Sequence, residues 1–259
     1  MRAEGMRADG QTGRRADEDS GRSLDDNGGV EQRSFFVSIA ECGRVRGVAV
    51  VVDVLRAFTT AAWAFGLGAE RIVLSDDVEE ALALKASIPG ALALKDGRPE
   101  PGFDLTNSPV MIKAQDLRGA TIVQRTRHGT VGAVAARGAE HLFCASFTVA
   151  SATARAVRES GFNEVYFVIT GDDGSADEDL ACAEYIAALL DDPAAGVSPF
   201  LARVETSAGA LLSRRQFEEG HPGIAAGDID ACMDANRFDF AMRAREEDGL
   251  LVLRAVRSG

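Results

Sequence analysis

Residues 47–75 read GVAVVVDVLRAFTTAAWAFGLGAERIVLS, and two different periods follow one another within them. GVAVVVDVL (47–55) is a continuous apolar run rich in β-branched residues, the pattern of a strand covered on both faces. AFTTAAWAFGLG has helical composition and stops at Gly66 and Gly68. RIVLS (71–75) returns to a strand pattern. Strand, helix and strand with short connections are the repeating unit of a sheet flanked by helices.

The rhythm continues downstream. DDVEEALALKAS carries acids in its first turn, as a helix N-terminus prefers. GALALK (90–95), ATIVQ (120–124), EHLFCAS (140–146) and EVYFVIT (164–170) read as further strands. Helices are predicted over GTVGAVAARG, from about Thr148 to Ser160, and from the acidic turn after Thr170 through Leu190. Beyond PAAGVSP (193–199) the pattern loosens, with helices predicted around 201–219 and 228–235. GLLVLRAV (249–256) is predicted to be a final strand added at an edge. The expected fold is α/β, three layers with a largely parallel or mixed sheet and a helical C-terminal portion. Residues 1–33 are rich in Gly, Arg, Asp and Ser and poor in large apolar side chains, so they are predicted to be a disordered tail before one domain at 34–259.

In open α/β sheets, ligands bind beyond the carboxyl ends of the strands. The unusual polar residues gather there. The first strand ends at Asp53, with Arg56 a step beyond. The third runs into DGRPEPGFDLTNSP (96–109), the fourth into QRTRHGT (124–130), the fifth into SFT (146–148) and the sixth into GDDGSADEDL (171–180). That last turn holds five carboxylates, which repel one another unless water or a cation sits among them. Mg2+ takes hard oxygen ligands, which Asp53 and members of the Asp172–Asp179 cluster could supply. Arg56, Arg125 and Arg127 offer the planar fork that suits phosphate, sulfonate or carboxylate. Asn107, Ser108, Thr126 and Thr130 add neutral hydrogen bonds. Asp53 also suits a helix cap, and the acids at 177–179 also suit a helix first turn.

Composition narrows the partners. The 259 residues are 46% apolar and 26% charged, ordinary for a globular protein. The net charge of −12 argues against nucleic acid as a partner. No stretch approaches the roughly 20 apolar residues that span a bilayer, and the N-terminus lacks a signal-peptide core, so no membrane association and a cytoplasmic location are expected. Cys42, Cys144, Cys182 and Cys232 lie far apart with no CxxC pair, which disfavours a disulfide framework or a structural zinc site. Cys144 and Cys182 are expected to be buried thiols. The sequence allows a homo-oligomer without specifying one.

Five motifs in fixed order are more specific than any of these features: VVDVLRAFTTAAWAFGLGAERIVL, PGFDLTNSP, GATIVQRTRHGT, FCASFTVASATA and GDDGSADEDLACA. Together they resemble the 2-phosphosulfolactate phosphatase family of the sulfolactate branch of coenzyme M biosynthesis, over roughly residues 35–257. The resemblance implies Mg2+-dependent hydrolysis of the phosphate ester of a three-carbon sulfonated acid, or a closely related small anionic phosphomonoester, to sulfolactate and phosphate. It assigns Asp53, Arg56 and Thr59 to the first signature, and Asp104, Asn107 and Ser108 to the second. Thr126, Gly129 and Thr130 fall in the third, Ser146 with Phe147 in the fourth, and Glu178 with Asp179 in the acidic pair. Asp53, Arg56, Glu178 and Asp179 are the expected catalytic set, with Asp53, Glu178 and Asp179 as the candidate metal ligands or water-orienting groups. Thr59, Asn107, Ser108, Arg125, Thr126, Arg127, Thr130 and Ser146 are the expected substrate contacts. The charged RTRHGT loop leaves a second reading, a non-catalytic binder of a small anionic metabolite.

Overall fold

The computed structural model describes residues 32–258. The apolar run at 47–55 becomes β2 (Val48–Val52), with all five residues buried. Burying such side chains stabilises a fold by about 1.5–3 kcal/mol each. The chain then turns into α1 (Ala57–Gly66) and returns as β3 (Arg71–Ser75). The next helix, α2 (Val78–Ser87), starts where the Asp77 side chain accepts the Glu80 amide at 2.8 Å.

The remaining predicted strands form close to their expected places, as β4 (Leu92–Lys95), β6 (Thr121–Arg125), β7 (His141–Ala145) and β8 (Glu164–Ile169). Between β4 and β6 lie the two-residue β5 (Leu105–Thr106) and α3 (Pro109–Ile112). The later helices are α4 (Gly129–Ala135), α5 (Ala150–Glu159) and α6 (Asp177–Asp191). The predicted helix at 201–219 is two helices, α7 (Ser198–Thr206) and α8 (Ala208–Glu218). They break at Ser207, whose hydroxyl accepts the Ala210 amide at 3.1 Å. A short α9 (Asp228–Met233) precedes the last strands.

Three expectations need correction. Most of the predicted tail lies outside the described residues, but Arg33 belongs to a strand, β1 (Arg33–Ser38), paired in parallel with β8. A strand that the sequence pattern does not announce, β9 (Ala241–Glu247), forms a hairpin with β10 (Leu250–Val256) through Asp248 and Gly249, both at positive φ. That hairpin is not at an edge. The sheet order is β1-β8-β2-β7-β9-β10-β3-β6-β4-β5, so β9 and β10 lie in its middle.

The hairpin divides the sheet into two parallel blocks. β1, β8, β2 and β7 form one, and β3, β6, β4 and β5 form the other. Both pairings that join the hairpin to its neighbours, β7 with β9 and β10 with β3, are antiparallel. The blocks therefore run in opposite senses, and a flat sheet would hold their carboxyl ends apart. Twist of ~20–25° per neighbouring pair accumulates to ~100–125° over the five steps from β2 to β6. Residues that come after β2, β4, β6 and β8 consequently border one cavity. Packing of α4 on both β2 and β3 ties the blocks together, and α6 covers β2 and β8. All four cysteines are buried. No helix among the described residues is long and apolar enough to cross a membrane.

Candidate active site

The cavity has a volume of about 520 Å3. Asp53, at the end of β2, stands at its base and divides its work between its two oxygens. Oδ1 accepts the Ala57 amide at 2.9 Å, which opens α1. Oδ2 points toward the start of α4, where a Cβ on Gly129 would lie only 2.7 Å away and 2.6 Å from the Ala57 Cβ. Glycine at 129 is thus what lets the β6–α4 turn approach the carboxylate. Asp53 is both a helix cap and a cavity residue.

Asp179, in the first turn of α6, binds the exits of two neighbouring strands. Its Oδ1 accepts the Val54 amide at 2.8 Å. Its Oδ2 accepts the Gly171 amide at 3.1 Å and lies 3.3 Å from the Thr170 hydroxyl. Glu178 behaves differently. It is buried, lines the cavity, and accepts no hydrogen bond among the described residues. Its carboxylate lies against the backbone of Gly209, in the first turn of α8, where a Cβ would collide with it.

Crowding sets the electrostatics. Burial pushes the Asp53 carboxyl up to about 6, opposed by the Ala57 amide and His128 and reinforced by Asp96 and Glu178. Burial, then the charge of Asp53, holds Asp179 well above the usual carboxylate range. Of the five acids in the turn after β8, Asp172, Glu178 and Asp179 line the cavity. Asp177 pairs with Arg203. Asp172 and Asp173 both adopt positive φ.

Cations approach from the other side. Arg56 lines the cavity and is held by an ion pair with Asp228, itself almost fully buried. Asp228 also accepts the Ser108 hydroxyl at 2.6 Å and the amides of Val110 and Ala225 at 3.2 and 3.0 Å. After β4, Asp96 receives Arg127 Nε at 2.9 Å, with Arg125 at 3.7 Å. Asn107, Thr126, Arg127 and His128 complete this wall.

Of the sequence-predicted residues, Asp53, Arg56, Asn107, Thr126, Arg127, Glu178 and Asp179 meet at the cavity. Thr59, Ser108, Arg125, Thr130 and Ser146 do not line it. The Thr59 hydroxyl donates to the Val54 carbonyl at 2.9 Å, Ser108 caps α3, and Thr130 exchanges hydrogen bonds with Thr126. Ser146 bonds Thr148 at 2.8 Å, and Phe147 is core. Asp104 lies outside too, paired with Lys85. These side chains shape the turns that carry the lining residues. Sequence reasoning missed Asp228, Thr170, Arg98, His221 and the whole face of α8. The strand-end rule points only to the loops that leave strands, and α8 comes directly after another helix.

The donor set suits a hard divalent cation. Asp53 Oδ2 and the Glu178 carboxylate are both oxygen donors, and both are free of hydrogen bonds among the described residues. Asp179 has each oxygen engaged. No cluster of three or more His, Cys, Asp or Glu ligands occurs among the described residues. Mg2+ needs only one or two carboxylates, the rest of its shell being water and substrate oxygen.

The fold is α/β, its cavity holds both carboxylates and guanidinium groups, and its relatives place the chain in the class of the phosphoric monoester hydrolases. The chain belongs to the 2-phosphosulpholactate phosphatase family, whose model matches residues 37–246. Among its relatives is a protein of Bacillus subtilis (strain 168) named "Probable 2-phosphosulfolactate phosphatase", 32% identical over 76% of this chain and 87% of its own length. Proteins carrying the same name in Carboxydothermus hydrogenoformans and Thermus thermophilus are 34% and 38% identical. The first match covers 80% of this chain and 90% of the relative, and the second 64% and 68%.

Proposed function

We propose that this chain hydrolyses the phosphate ester of 2-phosphosulfolactate, or of a closely related small anionic phosphomonoester, in a Mg2+-dependent reaction. The observation that carries the reading is the pair Asp53 and Glu178, whose free carboxylate oxygens share one cavity with Arg56 and Arg127. Family membership and the names of the relatives support the substrate.

Mg2+ held by Asp53 and Glu178 would supply positive charge to phosphate oxygens that the two acids would otherwise repel. The chain does the rest. Arg56, fixed by Asp228, offers hydrogen bonds to the phosphoryl oxygens as charge develops on them. The Asn107 amide and the Thr126 hydroxyl hold the ester against the β5 and β6 ends. Asp179 keeps the β2 and β8 exits at the spacing this geometry requires. Asp53 orients the attacking water, whose oxygen forms the new bond to phosphorus as the ester P–O bond breaks, and the proton that the water gives up ends on the leaving sulfolactate oxygen.

The test is phosphate release from 2-phosphosulfolactate by the purified chain with Mg2+, after chelator treatment, and after Mg2+ is restored. Activity that disappears with chelator and returns with Mg2+ is expected. Undiminished turnover in chelator would remove the metal from the mechanism. No release from 2-phosphosulfolactate or from 2-phospholactate would remove the hydrolytic reading itself.

A further inference from the structure

The cavity is polarised along α8. The first turn of this helix touches Glu178 through Gly209, while Gln216 and, just beyond the helix, His221 line the same cavity. At 1.5 Å per residue, the seven residues from Gly209 to Gln216 cover ~10 Å. The free Glu178 carboxylate therefore lies at one end. At the other end the loop after α8 meets the turn after β4 backbone to backbone, because a Cβ on Gly223 would strike the Gly97 carbonyl. Arg98, the next residue in that turn, lines the cavity beside them.

Arg98 differs from the other guanidinium groups of the wall. Arg56 is neutralised by Asp228, and Arg127 shares Asp96 with Arg125. Arg98 forms no ion pair among the described residues. His221, on the loop that packs against this turn, lines the same cavity, and its Nδ1 has no hydrogen-bond partner among them. Arg98 is exposed at the cavity wall, so its guanidinium is free to pair with an acid group of whatever the cavity receives.

We propose that Arg98, with His221 on the loop packed against its turn, selects substrates that carry a second strong acid group, and that it holds the sulfonate while the phosphate lies at the Glu178 end. The proposal rests on the hydrolytic reading above. Its chemistry comes from how the two groups differ. A sulfonate is a weak base and a poor ligand for a hard cation, so phosphate takes the carboxylate-and-metal end. The sulfonate's three oxygens suit the guanidinium fork.

The experiment compares 2-phosphosulfolactate with 2-phospholactate, which lacks only the sulfonate, in the wild type, Arg98→Ala, Arg98→Lys and His221→Gln. The expected result is that Arg98→Ala lowers the kcat/KM preference for the sulfonated ester by about 10- to 100-fold, mostly through KM. Arg98→Lys should recover part of that loss, and His221→Gln should lose less than Arg98→Ala. Calorimetry of sulfolactate against lactate binding to the same proteins gives the same ratio without turnover. An inactive wild type would thus overturn the hydrolytic reading yet leave this inference measurable. A preference unchanged in Arg98→Ala, by rate or by binding, would overturn it.

Discussion

The two parallel blocks of the sheet contribute unequal shares of the site's charge. The block containing β2 and β8 delivers most of the carboxylates, Asp53 directly and Asp172, Glu178 and Asp179 after β8, together with one guanidinium, Arg56. The block containing β4, β5 and β6 delivers Arg98, Asn107, Thr126, Arg127 and His128. Neither block alone could bind a phosphate ester. The first sets several carboxylates against one guanidinium already paired with Asp228, and the second sets Arg98, Arg127 and His128 against the single carboxylate of Asp96. The division also explains how an acidic chain can accept an anionic substrate, since the local field at the site differs from the global one.

The sharpest way to break the comparison is to neutralise the acid side. Asp53→Asn keeps the Oδ1 acceptor for the Ala57 amide but loses the charge on Oδ2, and kcat should fall on the order of 10^3-fold in a phosphate-release assay. Next in size is the strut between the blocks. Asp228→Ala leaves the Arg56 guanidinium buried without its counter-charge and should cost about 3–5 kcal/mol in denaturant unfolding. Arg56→Met made in the Asp228→Asn background should recover part of that stability while leaving the enzyme inactive.

A third prediction concerns pH. The folded protein holds the Asp53 proton more tightly than the unfolded chain does, since its value near 6 exceeds the ordinary 3.8. Ionising it therefore costs folded stability above pH 6. As pH falls from 6 toward 4 the metal-free protein should recover roughly 2 kcal/mol from this group. Thermal unfolding against pH should show that gain in the wild type and lack it in Asp53→Asn. The smallest effect tests the cationic side. Arg127 is 69% exposed at its side chain and pairs with Asp96, so Arg127→Ala should change stability by less than about 1 kcal/mol. Any several-fold rise in KM would then report substrate contact alone.

Much of this arrangement was legible in the chain. The runs at 47–55 and 164–170 declared buried strands, and the polar residues after them fell at one cavity as the strand-end rule requires. What escaped notice depended on distant partners. Asp228 sits in GDID, an ordinary helix-opening sequence, and its partners Ser108 and Arg56 lie 120 and 172 residues away. β9 (AMRAREE) mixes arginine and glutamate with small apolar residues, so no apolar run marks it. Asp248-Gly249 between it and β10 was the available signal, because that dipeptide suits a two-residue hairpin turn. β1 was hidden because Phe35 and Phe36 adjoin a polar segment and stay partly exposed. Thr59, Ser108, Thr130 and Ser146 carry signature residues without reaching the cavity, since a motif records the turn as well as the chemistry.

The central hairpin has a consequence for how the protein is made. Every strand of both blocks precedes β9 and β10 in the chain, yet the ladder that joins the blocks runs through those two strands. During synthesis, both halves of the catalytic cavity emerge before the segment that stitches them together. Such closure over long sequence separations is slow, in the range of milliseconds to seconds. A nascent chain stopped before residue 241 would own every side chain that lines the cavity and lack the seam that joins the two blocks.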